Sequence, residues 1–263
     1  MALPKLKTSA QAVSGMTLEA VVTELRKLPG ERRTGIALLK ILRQLSPSVE
    51  EGAEKPRRAP AESIAGLSSE ELAAWLMGHL AKDLAYTHSR GVLHLAIHPE
   101  NIFIQESGQP VLGGCDPDSV DGSGNGFRSP EQTAVLENPQ DHSLVVRVGP
   151  ASDLYALGAV MHEFLRPAAM AEPRPMSPEG EICGDIDSFP LRAIVERCLN
   201  TNPAARFADA TLLAESLLTA RELFAFSTDK TQLRYRRISS RAGWLPWRLL
   251  EIGRASCRER VCT

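Results

Sequence analysis

The side chains that could do chemistry are concentrated between residues 94 and 118. His94 and His98 could exchange protons near neutral pH. Asn101, Asp116 and Asp118 carry the oxygen atoms that a hard cation such as Mg²⁺ prefers. Each also has a plain structural interpretation. We expect His94 to be a core histidine, and aspartates in a Gly- and Asp-rich loop are ordinarily solvated turn formers.

The remaining histidines and the cysteines form no metal-binding or disulfide pattern. His79, His88 and His98 have no cysteine or carboxylate partner at zinc spacing, so we expect surface or packing roles. The five cysteines form no CxxC pair, which favours a reducing, cytoplasmic setting with free thiols. Cys115 could be a reactive thiol, but a small filler side chain is the simpler role.

The elements around these residues are mostly helical. Thr17 is a plausible N-cap for a helix that Pro29-Gly30 stops, and a second helix is predicted over about 34–45. Ser68 and Glu71 have capping-box spacing and open a helix to about residue 89, closed by Gly91. Its predicted apolar face is Leu72, Trp75, Leu76, Leu80, Leu84 and Tyr86.

The rest of the pattern adds a minor β element and more helix. Short apolar runs at 92–94, 101–104 and 111–112 predict extended segments, and residues 113–126 predict a loop. Helices are predicted at about 151–165, 187–200 and 208–224. The fold class is therefore mainly α with minor β.

Composition divides the chain into four parts. Residues 1–66 hold two helices and a linker (46–66) rich in Pro, Glu, Arg and Ala, and residues 67–226 form the main domain. Residues 227–250 are a tail of unknown structure. Residues 251–263 (EIGRASCRERVCT) look like a translated sequencing adapter, so we expect the native gene to continue beyond Leu250.

Charge and hydropathy exclude some classes of partner. The net charge of -2 gives no reason to expect nucleic acid. No stretch approaches the ~20 apolar residues of a membrane span. A protein partner is left unspecified.

Five blocks, in a fixed order, resemble the C-terminal lobe of bacterial Ser/Thr protein kinases. They are 84–94 (LAYTHSRGVLH), 94–101 (HLAIHPEN, against H-R-D-x-K-P-x-N), 129–131 (SPE), 152–158 (SDLYALG) and 198–206 (CLNTNPAAR). The N-terminal helices resemble an insertion between the hinge and the long helix in some bacterial members. The resemblance implies a protein-kinase-like C-terminal lobe.

The resemblance also shows which chemical groups are missing. Ala96 stands where the catalytic aspartate would accept the proton of the substrate hydroxyl, and His98 stands where a lysine would steady the phosphate. Gly114 falls where an aspartate would hold Mg²⁺. Leu95 replaces the arginine that would pair with an activation-loop phosphate. Asn101 is kept and could still ligate a metal.

The architectural residues of the family are retained. Glu131 and Arg206 match a buried ion pair between the activation segment and the late helices. Asp153 matches a carboxylate that bonds the catalytic-loop backbone, and His94 matches the residue that packs this loop on the core. Retained scaffold with lost chemistry is expected of a pseudokinase.

Three functions therefore stand as hypotheses. The first is a catalytically inactive binding or regulatory module, which needs no cofactor although its family uses ATP and Mg²⁺. No glycine-rich loop or V-A-I-K lysine precedes residue 67, so an N-terminal lobe is not visible. The second is an unconventional active kinase that uses Asn101 with Asp116 or Asp118. The third is a fragment that does not fold stably alone.

Overall fold

The computed structural model describes residues 15–45, 64–114, 125–166, 186 and 188–228. The chain divides into two units, Met1–Glu222 and Leu223–Thr263. Of the second unit, only residues 223–228, the end of the last helix, are described. The architecture below is that of the first unit.

The first unit is mainly helical with one small sheet, as the sequence predicts. The α-helices of the described residues are α1 (Leu18–Arg26), α2 (Gly35–Leu45), α3 (Ser69–Ser89), α4 (Pro130–Glu137), α5 (Pro150–Leu165), α6 (Phe189–Cys198) and α7 (Ala210–Thr228), of which α7 belongs to the first unit as far as Glu222. The strands are β1 (Met16–Thr17), β2 (Ile102–Ile104) and β3 (Pro110–Leu112).

The ends of α3 follow from local side chains. The Ser68 hydroxyl accepts from the Glu71 amide at 3.3 Å, and the Glu71 carboxylate accepts from the Ser68 amide at 2.9 Å, which confirms the predicted capping box. At the other end, Gly91 takes a φ of 72° that glycine adopts without strain. The amides of Gly91 and Val92 then bond the carbonyls of His88 and Thr87.

The core lies around α5. This helix is buried along almost its whole length, and it packs against both α3 and α6. Gly158 permits the approach of α6, because a Cβ at this position would come within 2.3 Å of the Cys198 Cβ. Cys198 itself is buried in this core.

The sheet joins the start of α1 to the centre of the domain. β1 pairs antiparallel with β2, and β2 pairs antiparallel with β3, with Phe103 opposite both Thr17 and Val111. Thr17 is also the N-cap of α1, and its hydroxyl accepts from the Ala20 amide at 3.4 Å. Thr17 therefore takes part in both strand pairing and helix capping.

Two sequence predictions are wrong. Tyr86 is 60% exposed instead of lying on the apolar face of α3, because it is two residues beyond Leu84 and so points away from the 3.6-residue stripe. Its ring stacks on the Arg90 guanidinium instead. Residues 92–94 form no strand, since the His94 amide bonds a side chain rather than a neighbouring strand.

Two elements were not predicted. β1 has only two residues, too few for a periodic pattern. α4 did have a local signal: Ser129 caps it, Pro130 occupies the first turn, and Gln132 completes a capping box. None of the helices in the described part combines the length and apolar content that crossing a bilayer requires.

Candidate functional site

The candidate site is the loop of residues 94–101 between α3 and β2, and Asp153 organises its first half. Asp153 lies in the first turn of α5 and is completely buried. Its carboxylate accepts from the His94 amide at 2.9 Å and from the Leu95 amide at 2.7 Å. The start of the central helix therefore fixes the backbone of the loop, the place the resemblance implied for Asp153.

His88 is part of the same cluster, a role that sequence reasoning missed. Its Nε2 lies 2.8 Å from the Asp153 carboxylate, and its side chain is only 10% exposed. His88 comes from the last turn of α3, 65 residues before its partner. Its position within the matched block 84–94 was the available signal.

Leu95 adopts a left-handed backbone conformation with φ at 58°. A non-glycine residue in this region carries a conformational cost of order 1–3 kcal/mol and persists only when its surroundings hold it. The bond from its amide to Asp153 is one such restraint. The loop is thus held in a conformation that a free chain would rarely adopt.

The His94 ring connects the loop to the segment after β3. His94 is buried, its Nε2 lies 3.0 Å from the Gly113 carbonyl oxygen, and its Nδ1 accepts from the Ala96 amide at 3.4 Å. These two bonds require a neutral ring with the proton on Nε2. Burial, the largest effect, lowers the pKa of His94 below its ordinary value, although the Asp153 charge acts in the opposite direction. The buried, neutral ring therefore links the loop to Gly113 and has a structural role.

A hydrogen bond joins Asn101, the last residue of the loop, to Ala96 near its start. The Asn101 side-chain amide donates to the Ala96 carbonyl at 3.0 Å, and the Asn101 carbonyl accepts from the Gly113 amide at 2.6 Å. Asn101 therefore braces the backbone of the residue that carries a methyl group in place of a carboxylate. A methyl group cannot accept a proton.

His98 is packed against the acidic side of the loop. Its side chain is 8% exposed, and its Nδ1 lies 3.7 Å from the Glu100 carboxylate. Glu100 also meets Glu19, in the first turn of α1. The pKa of Glu19 is raised, first by burial and then by the charge and the hydrogen bond of Glu100. The surroundings of His98 are thus acidic.

The two glycines after β3 have opposite environments. A Cβ at Gly113 would lie 2.6 Å from the Phe103 ring and 2.8 Å from the Asn101 carbonyl oxygen. Among the described residues, a Cβ at Gly114 would meet nothing within 4 Å. Cys115, Asp116 and Asp118 lie outside the described residues.

Glu131 and Arg206 form a bidentate ion pair, as the resemblance implied. The Arg206 guanidinium donates to the two Glu131 oxygens at 2.7 and 2.9 Å, and Ser152 donates its hydroxyl to Glu131 at 2.7 Å. Arg206 also donates to the carbonyls of Ala151 and Asn200 at 2.8 Å each. Burial alone would raise the pKa of Glu131, but the bonds from Arg206 and Ser152 lower it.

Hydrogen bonds therefore link Asp153, His94, Ala96 and Asn101, and His94 also bonds Gly113, the neighbour of Gly114. The Glu131–Arg206 pair reaches α5, the helix of Asp153, through Ser152 and Ala151. Within the described residues, no group of three or more histidine, cysteine or acidic side chains could hold a metal ion.

Comparison with known proteins gives relatives of one kind. Serine/threonine-protein kinase D of Synechocystis is 27% identical over 176 residues, covering 59% of this chain and 32% of that protein. Serine/threonine-protein kinase PknA of Nostoc is 28% identical over 162 residues, covering 58% and 29%. Serine/threonine-protein kinase AfsK of Streptomyces coelicolor is 25% identical over 268 aligned positions, covering 96% and 30%.

The chain spans about a third of the length of these relatives. No family model matches it. The ordered motifs, the helical architecture around α5 and these relatives agree with one another. The chain is therefore kinase-like: its mainly helical fold is consistent with a protein-kinase-like C-terminal lobe, and its sequence is similar to those of bacterial Ser/Thr protein kinases.

Proposed function

We propose that this chain is a catalytically inactive kinase-like domain that acts as a binding or regulatory module. The observation that carries the proposal is Ala96, a methyl group where the family has its proton acceptor, within a loop that Asp153, His94 and Asn101 still hold in place. The loop is ordered, but it lacks its base.

The expected loss of rate supports the proposal. A positioned general base contributes roughly 10²- to 10⁴-fold to a proton transfer. Neither Ala96 nor Gly114 offers an oxygen ligand from its side chain, so the Asn101 amide oxygen is the one side-chain oxygen among these three residues. The described residues at these positions do not form a donor set that fits Mg²⁺, which prefers several oxygen ligands in octahedral geometry.

The cellular compartment that we propose for this module is inferred from its cysteines. The five cysteines of the sequence form no CxxC pair, which favours a reducing compartment such as the cytoplasm. The domain limits inferred from the sequence, 1–66 and 67–226, belong to the same proposal. The partner that the module would bind is a protein of unspecified identity.

An unconventional active kinase is the second candidate, because Asn101 is retained at the metal-binding position of the motif. Such an enzyme would need carboxylates from Asp116 or Asp118. Thermal unfolding with and without ATP·Mg²⁺ separates the two functions. The inactive module predicts no rise in Tm and no effect of Asp116→Ala, whereas a rise that Asp116→Ala abolishes would support the kinase.

The third hypothesis, an unstable fragment, is tested by the melt itself. A buried bidentate ion pair and a continuous core around α5 favour cooperative unfolding of residues 1–250. A broad, non-cooperative melt would favour the fragment.

A further inference from the structure

Gln132, the third residue of α4, connects this helix to the candidate loop. Its side-chain oxygen lies 3.1 Å from both the amide nitrogen and the hydroxyl oxygen of Ser129, which donate to it. Its side-chain nitrogen donates to the Leu95 carbonyl at 3.0 Å. One amide group therefore satisfies the helix cap and reaches 37 residues back to the loop.

The backbone of Leu95 is consequently held at both of its polar groups. Its N–H bonds the Asp153 carboxylate at 2.7 Å, and its C=O bonds Gln132. Asp153 belongs to α5 and Gln132 to α4, so two different helices fix one residue. This residue is the one described non-glycine position with a positive φ, at 58°.

We propose that Gln132 is a positioning residue that couples the start of α4 to the candidate loop by holding Leu95 in its left-handed conformation. The coupling uses neutral hydrogen bonds to the backbone. The Leu95 side chain bears no charge and cannot pair with a phosphate, so this connection does not depend on phosphorylation. A partner that displaces the start of α4 releases Leu95, and with it the backbone that carries Ala96.

This coupling is independent of whether the domain transfers phosphate. It rests on the backbone of Leu95 and the side chain of Gln132, neither of which is a base or a metal ligand. Its test therefore measures conformation, and a failure of the inactive-module proposal would leave it standing.

Gln132→Glu is the informative variant because it separates the two bonds. Glutamate is a favoured third residue of a capping box, and its charge suits the first turn of a helix, so α4 stays capped. The carboxylate has no hydrogen to donate to the Leu95 carbonyl. The variant thus removes the link to the loop without weakening the helix.

The measurement is residue-resolved amide hydrogen exchange of the full chain at pH 7. A hydrogen bond contributes about 0.5–1.5 kcal/mol, so Gln132→Glu should raise exchange at Leu95 and Ala96 by roughly threefold to tenfold, with α4 and α5 unchanged. Thr133→Val is the matched control, since the Thr133 hydroxyl bonds only the Ser129 carbonyl, at 3.2 Å. It should leave Leu95 unchanged.

Leu95→Gly adds a second readout, because glycine adopts a positive φ without help. In that background, Gln132→Glu should raise exchange at Ala96 by less than in the wild type. Unchanged exchange at Leu95 and Ala96 in Gln132→Glu would overturn the proposal. The proposal would also be overturned if Gln132→Glu raised hydrogen exchange equally throughout α4 and α5. The same holds if it raised exchange at Ala96 equally in the wild-type and Leu95→Gly backgrounds.

Discussion

The Glu131 carboxylate and the Arg206 guanidinium meet through two parallel hydrogen bonds of 2.7 and 2.9 Å, although the two residues are 75 positions apart. The guanidinium side chain is fully buried and the carboxylate nearly so. This pair ties the first turn of α4 to the segment that precedes α7. Its contribution to stability is the first matter to test.

Glu131→Ala is expected to lower the free energy of unfolding by about 3–5 kcal/mol, because it leaves the Arg206 charge buried and unpaired. Urea unfolding measured by circular dichroism provides the value. The matched control is Glu24→Ala, which breaks the exposed Lys27–Glu24 pair of 2.6 Å. That change should cost less than about 1 kcal/mol. Equal losses of unfolding free energy in the two variants would show that the buried pair stabilises the fold no more than an exposed pair does.

Asp153→Ala is expected to destabilise the domain and loosen the loop. The amides of His94 and Leu95 lose their acceptor, and an unsatisfied buried donor costs about 1–3 kcal/mol. The control is Asp141→Ala, at an exposed turn where the carboxylate bonds Ser143, and it should leave the melting temperature close to that of the wild type. A wild-type melting temperature for Asp153→Ala would contradict the assigned position of this carboxylate.

Stability should fall as the pH drops below about 6.5, the ordinary pKa of histidine. The pKa of His94 is lower in the folded state, so below pH 6.5 the unfolded state binds a proton that the folded state does not. One such proton lowers the free energy of unfolding by up to about 1.4 kcal/mol per pH unit. Glu131 and Glu163, whose carboxylate on α5 accepts from Arg26 and Arg166, act only at lower pH, because their folded-state pKa values lie below the ordinary 4.5.

Urea titrations between pH 7.5 and 5 on the wild type and on His94→Gln measure this effect. The variant should be less stable at pH 7.5 and should depend less steeply on pH. The difference between the two slopes isolates His94 from His88, which both proteins retain. Parallel pH profiles would mean that His94 is not kept neutral by the fold.

The adjacent glycines after β3 should respond differently to the same substitution. Gly113→Ala drives a methyl group into the Phe103 ring and the Asn101 carbonyl, and overpacking of this kind costs about 1–3 kcal/mol. Gly114→Ala places the methyl group where no atom of the described residues lies within 4 Å, and it should change stability by less than about 0.5 kcal/mol. Thermal unfolding of the two variants measures the difference. A larger loss of stability in Gly114→Ala than in Gly113→Ala would refute the assigned packing.

Local sequence signals predicted the elements that local chemistry determines. Ser68, Glu71 and Gly91 are near neighbours of the helix ends they define, so the bounds of α3 could be read directly. Tyr86 is predicted on the apolar face of α3 because its ring is largely apolar, although its position is off the helical stripe that contains Leu84. β1 could not be foreseen, since two residues gain their strand character only by pairing with Phe103 and Ile104.

The contacts of the site could not be read from spacing alone. His88 meets Asp153 across 65 positions, and Gln132 meets Leu95 across 37, so each bond depends on how the helices pack. Glu131 and Arg206 were paired in advance only because the ordered motifs resemble a family with a known scaffold. The left-handed φ of Leu95 has no sequence signal, because leucine seldom adopts it.

Phosphoryl transfer is the most direct test of the central claim that the candidate loop is ordered but lacks its base. The full chain is incubated with labelled ATP, Mg²⁺ and a generic protein substrate, beside the same protein heat-denatured. We predict no incorporation above the denatured control. Robust turnover that a nucleotide competitor abolishes would contradict the claim.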